Sequence, residues 1–213
     1  PFINRVYVWN KKEGKYKSLM KLSKQVRKEK YDVVINLQRF ASSGWLSFRS
    51  KAKIIAGFKN NPLSFLFTHK VVHEIGNEKH EIDRNLQLLN EVGNFEKQSP
   101  KLYPSTADYN FVEKYLSSDY IVMAPSSVWF TKQLPKDKWV ALINQFTTKA
   151  VYLIGAPSDV NYLDELKSAS THNNCVNLAG KLTLLQSAAL IEKASMTYVN
   201  DSAPLHLASS MNA

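Results

Sequence analysis

Short apolar runs rich in β-branched residues recur along this chain, and each ends in polar residues before a stretch with helical spacing. A run with no polar face suits a strand covered on both sides, and such strands belong to parallel sheets with helices packed across them. The clearest series lies in the second half. Strand-like residues 120–124, 150–155, 176–178 and 196–200 alternate with helical patterns over 136–146, 160–169 and 184–193. A looser series precedes it. Residues 6–9 read as a short strand, 16–30 as an amphipathic basic helix, and 31–38 as a strand buried on both faces. Residues 45–49 read as helical, 53–57 as a strand, and 81–92 as a helix stopped by Gly93. The polar stretch 95–108, with Pro100 and Pro104, reads as a linker, and 109–116 as the helix that opens the second series. Two βαβ series predict an α/β protein with two Rossmann-like domains, residues 1–104 and 105–213. Both series read as incomplete. The chain starts at Pro1 and stops within a helical pattern, so the first domain is expected to lack its opening strand and loop and the second its end.

The chain has 213 residues and is 44% hydrophobic, enough for a sizeable core. Its net charge of +10 is unevenly spread. Residues 1–60 carry 15 Lys/Arg against 3 Asp/Glu, a net of +12; the rest carry 13 against 15, a net of −2. A basic half suggests an anionic partner: a phosphorylated substrate, a membrane face or nucleic acid. A solvated lysine-rich surface is the plainer alternative. The single cysteine, Cys175, excludes a disulfide framework or a Cys/His metal set and fits a reducing compartment. No apolar run approaches the ~20 residues needed to span a bilayer.

In open parallel sheets, ligands collect at the carboxyl ends of the strands, where helix amides are free. Three loops on that edge hold unusual polar residues. In APSSVWFTKQLP, Ser126 and Ser127 can donate to phosphate and Lys132 can supply charge; taken alone, a Ser/Thr-rich surface loop is the plainer reading. In GAPSD, Gly155 permits close approach, and Asp159 is either a ribose ligand or a helix cap. In YVNDSAPLHLAS, Asp201 and Ser202 end a strand, while Ala203 and Pro204 open a helix whose free amides form an anion cradle. His206, one turn along, is either a packed or capping histidine or a ligand contact. Asp201, Ser202 and His206 invite a hydrolase triad, but they share one turn and no G-x-S-x-G elbow exists.

In their order and spacing, APSS…TKQLP, LIGAPSD, NLAGKLTLLQSAALI and YVNDSAPLHLAS resemble the C-terminal domain of the ADP-heptose:lipopolysaccharide heptosyltransferases. These are glycosyltransferase family 9, inverting enzymes of the two-Rossmann GT-B type. YDVVINLQ, KIIAGF and EKHEIDRNLQLL agree more loosely, and the resemblance spans essentially the whole chain. It implies that Ser126 and Ser127 lie where phosphate-binding hydroxyls do, and that Lys132 contacts the donor diphosphate. It further implies that Asp159, in place of the more usual glutamate, binds ribose, and that Gly180 and Leu182 line an adenine pocket. Asp201 would face the donor sugar, and Ser202 with Ala203 would form the diphosphate turn. Ala203 stands where glycine is frequent, and Leu134 where tryptophan precedes the proline. The catalytic base of this family is an aspartate in a glycine-containing loop that would precede Pro1, so no residue here takes that role.

The resemblance thus implies transfer of a heptose or similar sugar from an ADP-sugar to a lipopolysaccharide-type glycolipid, with Lys132 and Asp201 in the catalytic machinery. No Asp-x-Asp element is seen, and neither a metal nor another cofactor is expected. A cytoplasmic enzyme meeting an anionic inner-membrane surface through its basic half fits the charge asymmetry. Two other readings stand beside it: a nucleotide-sugar epimerase of GT-B architecture and a basic nucleic-acid-binding module. Against the last, the lysines have neither interleaved aromatics nor a known motif, so no nucleic-acid partner is expected.

Overall fold

A computed structural model describes residues 3–12, 14–76, 79–90, 92–116 and 119–212. Glu78, which opens EKHEIDRNLQLL, Glu91 of the expected helix 81–92, and the terminal residues Pro1 and Ala213 lie outside the described residues. The chain divides into two compact units, residues 1–98 and 99–213.

The first unit runs α1 (Lys15–Lys28), β1 (Val33–Asn36), α2 (Ala41–Ser50), β2 (Ile54–Phe58), β3 (His69–Val71) and α3 (Glu81–Leu86). Its sheet order is β1-β2-β3, all parallel. Helix α1 buries Leu19 and Leu22 and lies against α2. Six basic side chains and no acidic one stand on α1. A small core joins Ala52, Ile55 and Phe67, with Val34 against it.

The structure overturns two expectations and adds one strand. Residues 6–9 form no strand: Val6 and Val8 are exposed. A four-residue β-pattern has no backbone partner among the described strands, and the alternate side chains Arg5 and Tyr7 hydrogen-bond to Glu29 instead. The run 31–38 shortens to β1, whose Val33, Val34 and Ile35 are only half-buried, because β1 is an edge strand of the described sheet. β3 was not anticipated, since His-Lys-Val has neither the length nor the apolar content of a strand pattern.

The second unit runs α4 (Thr106–Val112), β4 (Tyr120–Ala124), α5 (Lys136–Gln145), β5 (Ala150–Leu153), α6 (Val160–Ala169), β6 (Cys175–Asn177), α7 (Leu184–Glu192), β7 (Met196–Val199) and α8 (Ala203–Met211). The parallel order is β6-β5-β4-β7. Helix α4 starts earlier than expected because Ser105 and Asp108 form a reciprocal capping box, which shortens the linker. Backbone N–H of Leu102 donates to Ser210 O at 3.4 Å, tying that stretch to α8.

Alternation along β4 explains why this sheet is covered on both faces. Tyr120, Val122 and Ala124 point into one core with Val112, Leu190, Ile191 and Ala208. Ile121 and Met123 point into another with Trp139, Ile143, Leu163 and Leu166. Each fully buried Leu or Ile contributes about 1.5–3 kcal/mol of transfer free energy. That burial holds β4 and β5 rigidly, and their carboxyl ends with them.

Candidate active site

Because β4, β5 and β7 run parallel, the loops leaving their carboxyl ends meet on one edge. There they enclose a cavity of about 650 Å³. Its lining comes from four segments: Ser126 to Val128 after β4, Ile154 to Asp159 after β5, Leu182 to Leu184 with Ser187 at α7, and Ser202 to Pro204 with Leu207 at α8. Six of the sequence-selected residues therefore line one cavity: Ser126, Ser127, Asp159, Leu182, Ser202 and Ala203.

The carboxylate of Asp159 organises the β5 corner. Its Oδ2 accepts the Ala156 N–H and the Ser126 hydroxyl, each at 2.8 Å. It makes no side-chain cap on α6, although it occupies that helix's N-cap position. The Ser126 hydroxyl spends its single proton on Asp159, so in this arrangement it offers lone pairs to a ligand and not a donor. The Ser127 hydroxyl makes no hydrogen bond to another of the described residues, while its carbonyl accepts from Gln133 Nε2 at 2.5 Å.

Four selected residues stand outside the lining. Lys132 and Asp201 pair with each other at the rim, Nζ to Oδ2 at 2.5 Å, with side chains 44% and 58% exposed. The Lys132 ammonium, first by its hydrogen bond and then by its charge, holds the Asp201 carboxyl below its ordinary value, and His206 adds to the effect. His206 is exposed on α8. Gly180 has φ +69°, and a Cβ there would come within 3.0 Å of Pro157 Cα. Its N–H donates to Gly155 O at 3.0 Å, so it fastens the loop after β6 onto the β5 turn.

Asn200 was not anticipated. It is buried, its Oδ1 accepts the Leu134 N–H at 3.2 Å, and its Nδ2 donates to Pro125 O at 2.5 Å. One amide thus clamps both ends of the β4 loop to the end of β7. An amide at a strand terminus was the only signal, and it does not say which distant carbonyl it meets. Thr183 was also missed, although TLLQ carries the capping-box pattern: its Oγ1 accepts the Gln186 N–H at 3.2 Å at the mouth of α7. Among the described residues no group of three His, Cys, Asp or Glu could hold a metal ion. Burial pushes the Cys175 thiol up to about 11, which makes it an inert core group.

The model of glycosyltransferase family 9 (heptosyltransferase) matches residues 19–213. The chain belongs to this family. Among curated relatives of this family, lipopolysaccharide heptosyltransferase 3 of Escherichia coli is 27% identical over the whole chain, which covers 67% of that protein. The solved E. coli ADP-heptose lps heptosyltransferase II superposes with a TM-score of 0.80 at 20% identity, covering 92% of this chain and 65% of that one. E. coli heptosyltransferase WaaC with ADP-2-deoxy-2-fluoro heptose superposes with a TM-score of 0.69 at 19% identity, covering 92% and 64%. The chain therefore spans about two thirds of the length of these family members. These likenesses agree with the α/β architecture of two parallel-sheet units expected for the GT-B class.

Proposed function

We propose that the protein of which this chain is part transfers a heptose from ADP-heptose to a lipopolysaccharide core acceptor, with inversion at the anomeric carbon. The observation that carries this reading is the meeting of Ser127, Asp159, Leu182, Ser202 and Ala203 around one cavity at a parallel-sheet edge. That cavity falls within the 300–1,000 Å³ range usual for small-molecule sites. The relatives named above are heptosyltransferases, and one of the solved structures holds an ADP-heptose analogue.

In this reading the adenosine lies between the β5 turn and the start of α7, with Leu182 and Pro157 as apolar walls. Asp159 and Ser126 accept hydrogen bonds from the ribose hydroxyls, a role that suits a Ser126 hydroxyl whose own proton is given to Asp159. The diphosphate sits on the amides that open α8, with Ser127 and Lys132 donating. An acceptor hydroxyl attacks C1 of the sugar as the bond from C1 to the β-phosphate oxygen breaks. The electron pair leaves on that phosphate, and the hydroxyl proton passes to a general base that none of these residues supplies. Donors fixed before reaction stabilise the growing phosphate charge, commonly the largest catalytic contribution. Asp201 orients the sugar. No metal is required, because Lys132 and helix amides carry the positive charge. The acceptor is lipid-borne, and α1 gives the first unit a basic face suited to the anionic cytoplasmic leaflet.

Titration of the full-length protein with ADP, compared with Lys132→Ala, tests the reading. Loss of a charge-assisted contact should weaken ADP by about 1.5–3 kcal/mol. No ADP binding by the unmodified protein would sink the nucleotide site, and equal affinities would remove Lys132 from it.

A further inference from the structure

The Lys132 ammonium cannot serve two anions at full strength. In the structure it is engaged by Asp201 at 2.5 Å. In the proposed reaction it meets the diphosphate. We infer that Asp201 is the determinant that distinguishes ADP-sugar from ADP, by competing with ADP for Lys132 once the sugar has left; this rests on the nucleotide reading of the cavity.

The exchange follows from charge and hydrogen bonding. Asp201 is an acceptor-only carboxylate, so it needs donors. With the donor substrate bound, sugar hydroxyls satisfy it, and Lys132 is released to the diphosphate. Transfer removes those hydroxyls. The C1–O bond has broken with its electron pair on the β-phosphate, so the product carries about one more negative charge than the diester did. Asp201 then faces a more strongly anionic neighbour with no partner of its own except Lys132. Both effects disfavour retention of ADP.

Geometry makes the swap inexpensive. Both side chains are about half exposed, and Asp201 sits one residue before Ser202, which lines the cavity. An exposed pair of this kind is weakly held, so a bound ligand can open it. The backbone need not move, because Asn200 clamps the turn directly before Asp201 from both sides.

The test is calorimetric titration of the full-length protein and its Asp201→Asn variant with ADP and with AMP, which lacks the β-phosphate. Asp201→Asn should bind ADP about three- to tenfold tighter, the scale of a freed surface ion pair plus relieved repulsion, with AMP affinity unchanged. Asp201→Ala should tighten ADP likewise, which separates loss of charge from any contact made by asparagine. In a Lys132→Met background the gain on Asp201→Asn should shrink to less than half, since the contested ammonium is gone. ADP affinity that is unchanged or weaker in Asp201→Asn, while the unmodified protein binds ADP normally, overturns the inference and leaves the nucleotide site standing. Equal tightening of AMP and ADP also overturns it, because the β-phosphate would then play no part. Absence of ADP binding in the unmodified protein removes both readings together.

Discussion

The two units are built from the same device, a parallel sheet with helices in its crossovers, yet they treat their apolar strands differently. In the second unit β4 and β5 are interior strands, and every residue of both is buried. In the first, the equally apolar β1 lies at an edge and is half-covered, and only the central strand β2 is largely buried. β7, at the edge of the second sheet, is half-covered like β1. Position in the sheet accounts for β1 and β7 but not for the other edge strand, β6, which keeps Cys175 and Asn177 buried, and an apolar run does not announce which case applies. The consequence for function is local. Loops that leave two fully buried strands are held by cores on both faces, and they supply two of the four segments that line the candidate site.

The largest expected effect breaks that contrast at its source. Leu163 is fully buried beneath β5 in the second unit, and Leu163→Ala should cost about 2–5 kcal/mol. Val34→Ala, on the half-covered β1, should cost about 1 kcal/mol. Hydrogen exchange resolved by peptide reads each unit separately, which a single melting curve for two units cannot do. Equal losses of protection would mean that the covered face of β1 carries more than its exposure indicates.

Much of this was legible beforehand. α6 occupies the expected residues 160–169, and the other helices and strands of the second unit lie within a few residues of their predicted bounds. Their apolar periods are set by burial on both faces, so local pattern and tertiary position agree there. The loops after β4, β5 and β7 could be placed on one edge because parallel strands bring their carboxyl ends together. What stayed hidden depends on partners distant in sequence. Residues 6–9 have the composition of a strand without a neighbour to pair with, and β3 has the neighbour without the composition. Lys132 and Asp201 were each legible as site residues, but 69 residues separate them and nothing in either segment reveals that they meet. Asn200 and Gly180 act through contacts with Pro125 and Pro157, which no local motif encodes.

Gly180 sharpens the comparison at the next scale. It shares left-handed backbone with Gly76 of the first unit, at φ +69° and +88°. At Gly76 a Cβ would meet no described atom within 4 Å, whereas at Gly180 it would press on the Pro157 backbone at 3.0 Å. Gly76→Ala should thus cost only the left-handed strain, about 1–2 kcal/mol. Gly180→Ala adds overpacking against backbone and should cost about 2–4 kcal/mol. It should also weaken ADP binding, because Pro157 lines the cavity. Thermal denaturation with parallel ADP titration checks both, and a Gly180→Ala protein with undiminished ADP affinity would show that the turn tolerates displacement.

The smallest expected effect concerns acid. Each unit has a helix whose N-terminal carboxylate is held in its charged form. In the first, the His73 hydrogen bond and then Arg84 keep the Glu81 carboxyl below its ordinary value. In the second, the Ser105 hydroxyl and then its backbone N–H do the same for Asp108, at 2.6 and 2.8 Å. A carboxyl whose pKa is lower folded than unfolded contributes stability above its unfolded pKa. That contribution is lost as pH falls through the folded value. Glu81→Gln and Asp108→Asn should therefore each destabilise their own unit near neutrality, and each difference from the unmodified protein should close as pH falls through the acidic range. The two should not behave alike in salt. The Glu81 carboxylate is half exposed and pairs with the Arg84 guanidinium, so its effect should weaken as ionic strength rises. Asp108 is held by a neutral hydroxyl and a backbone amide, so its effect should be nearly insensitive to salt. Peptide-resolved exchange at neutral and acidic pH, each at low and high salt, separates the two. A salt-sensitive Asp108→Asn difference would mean that helix α4 is held at its start by distant charge and not by its capping box.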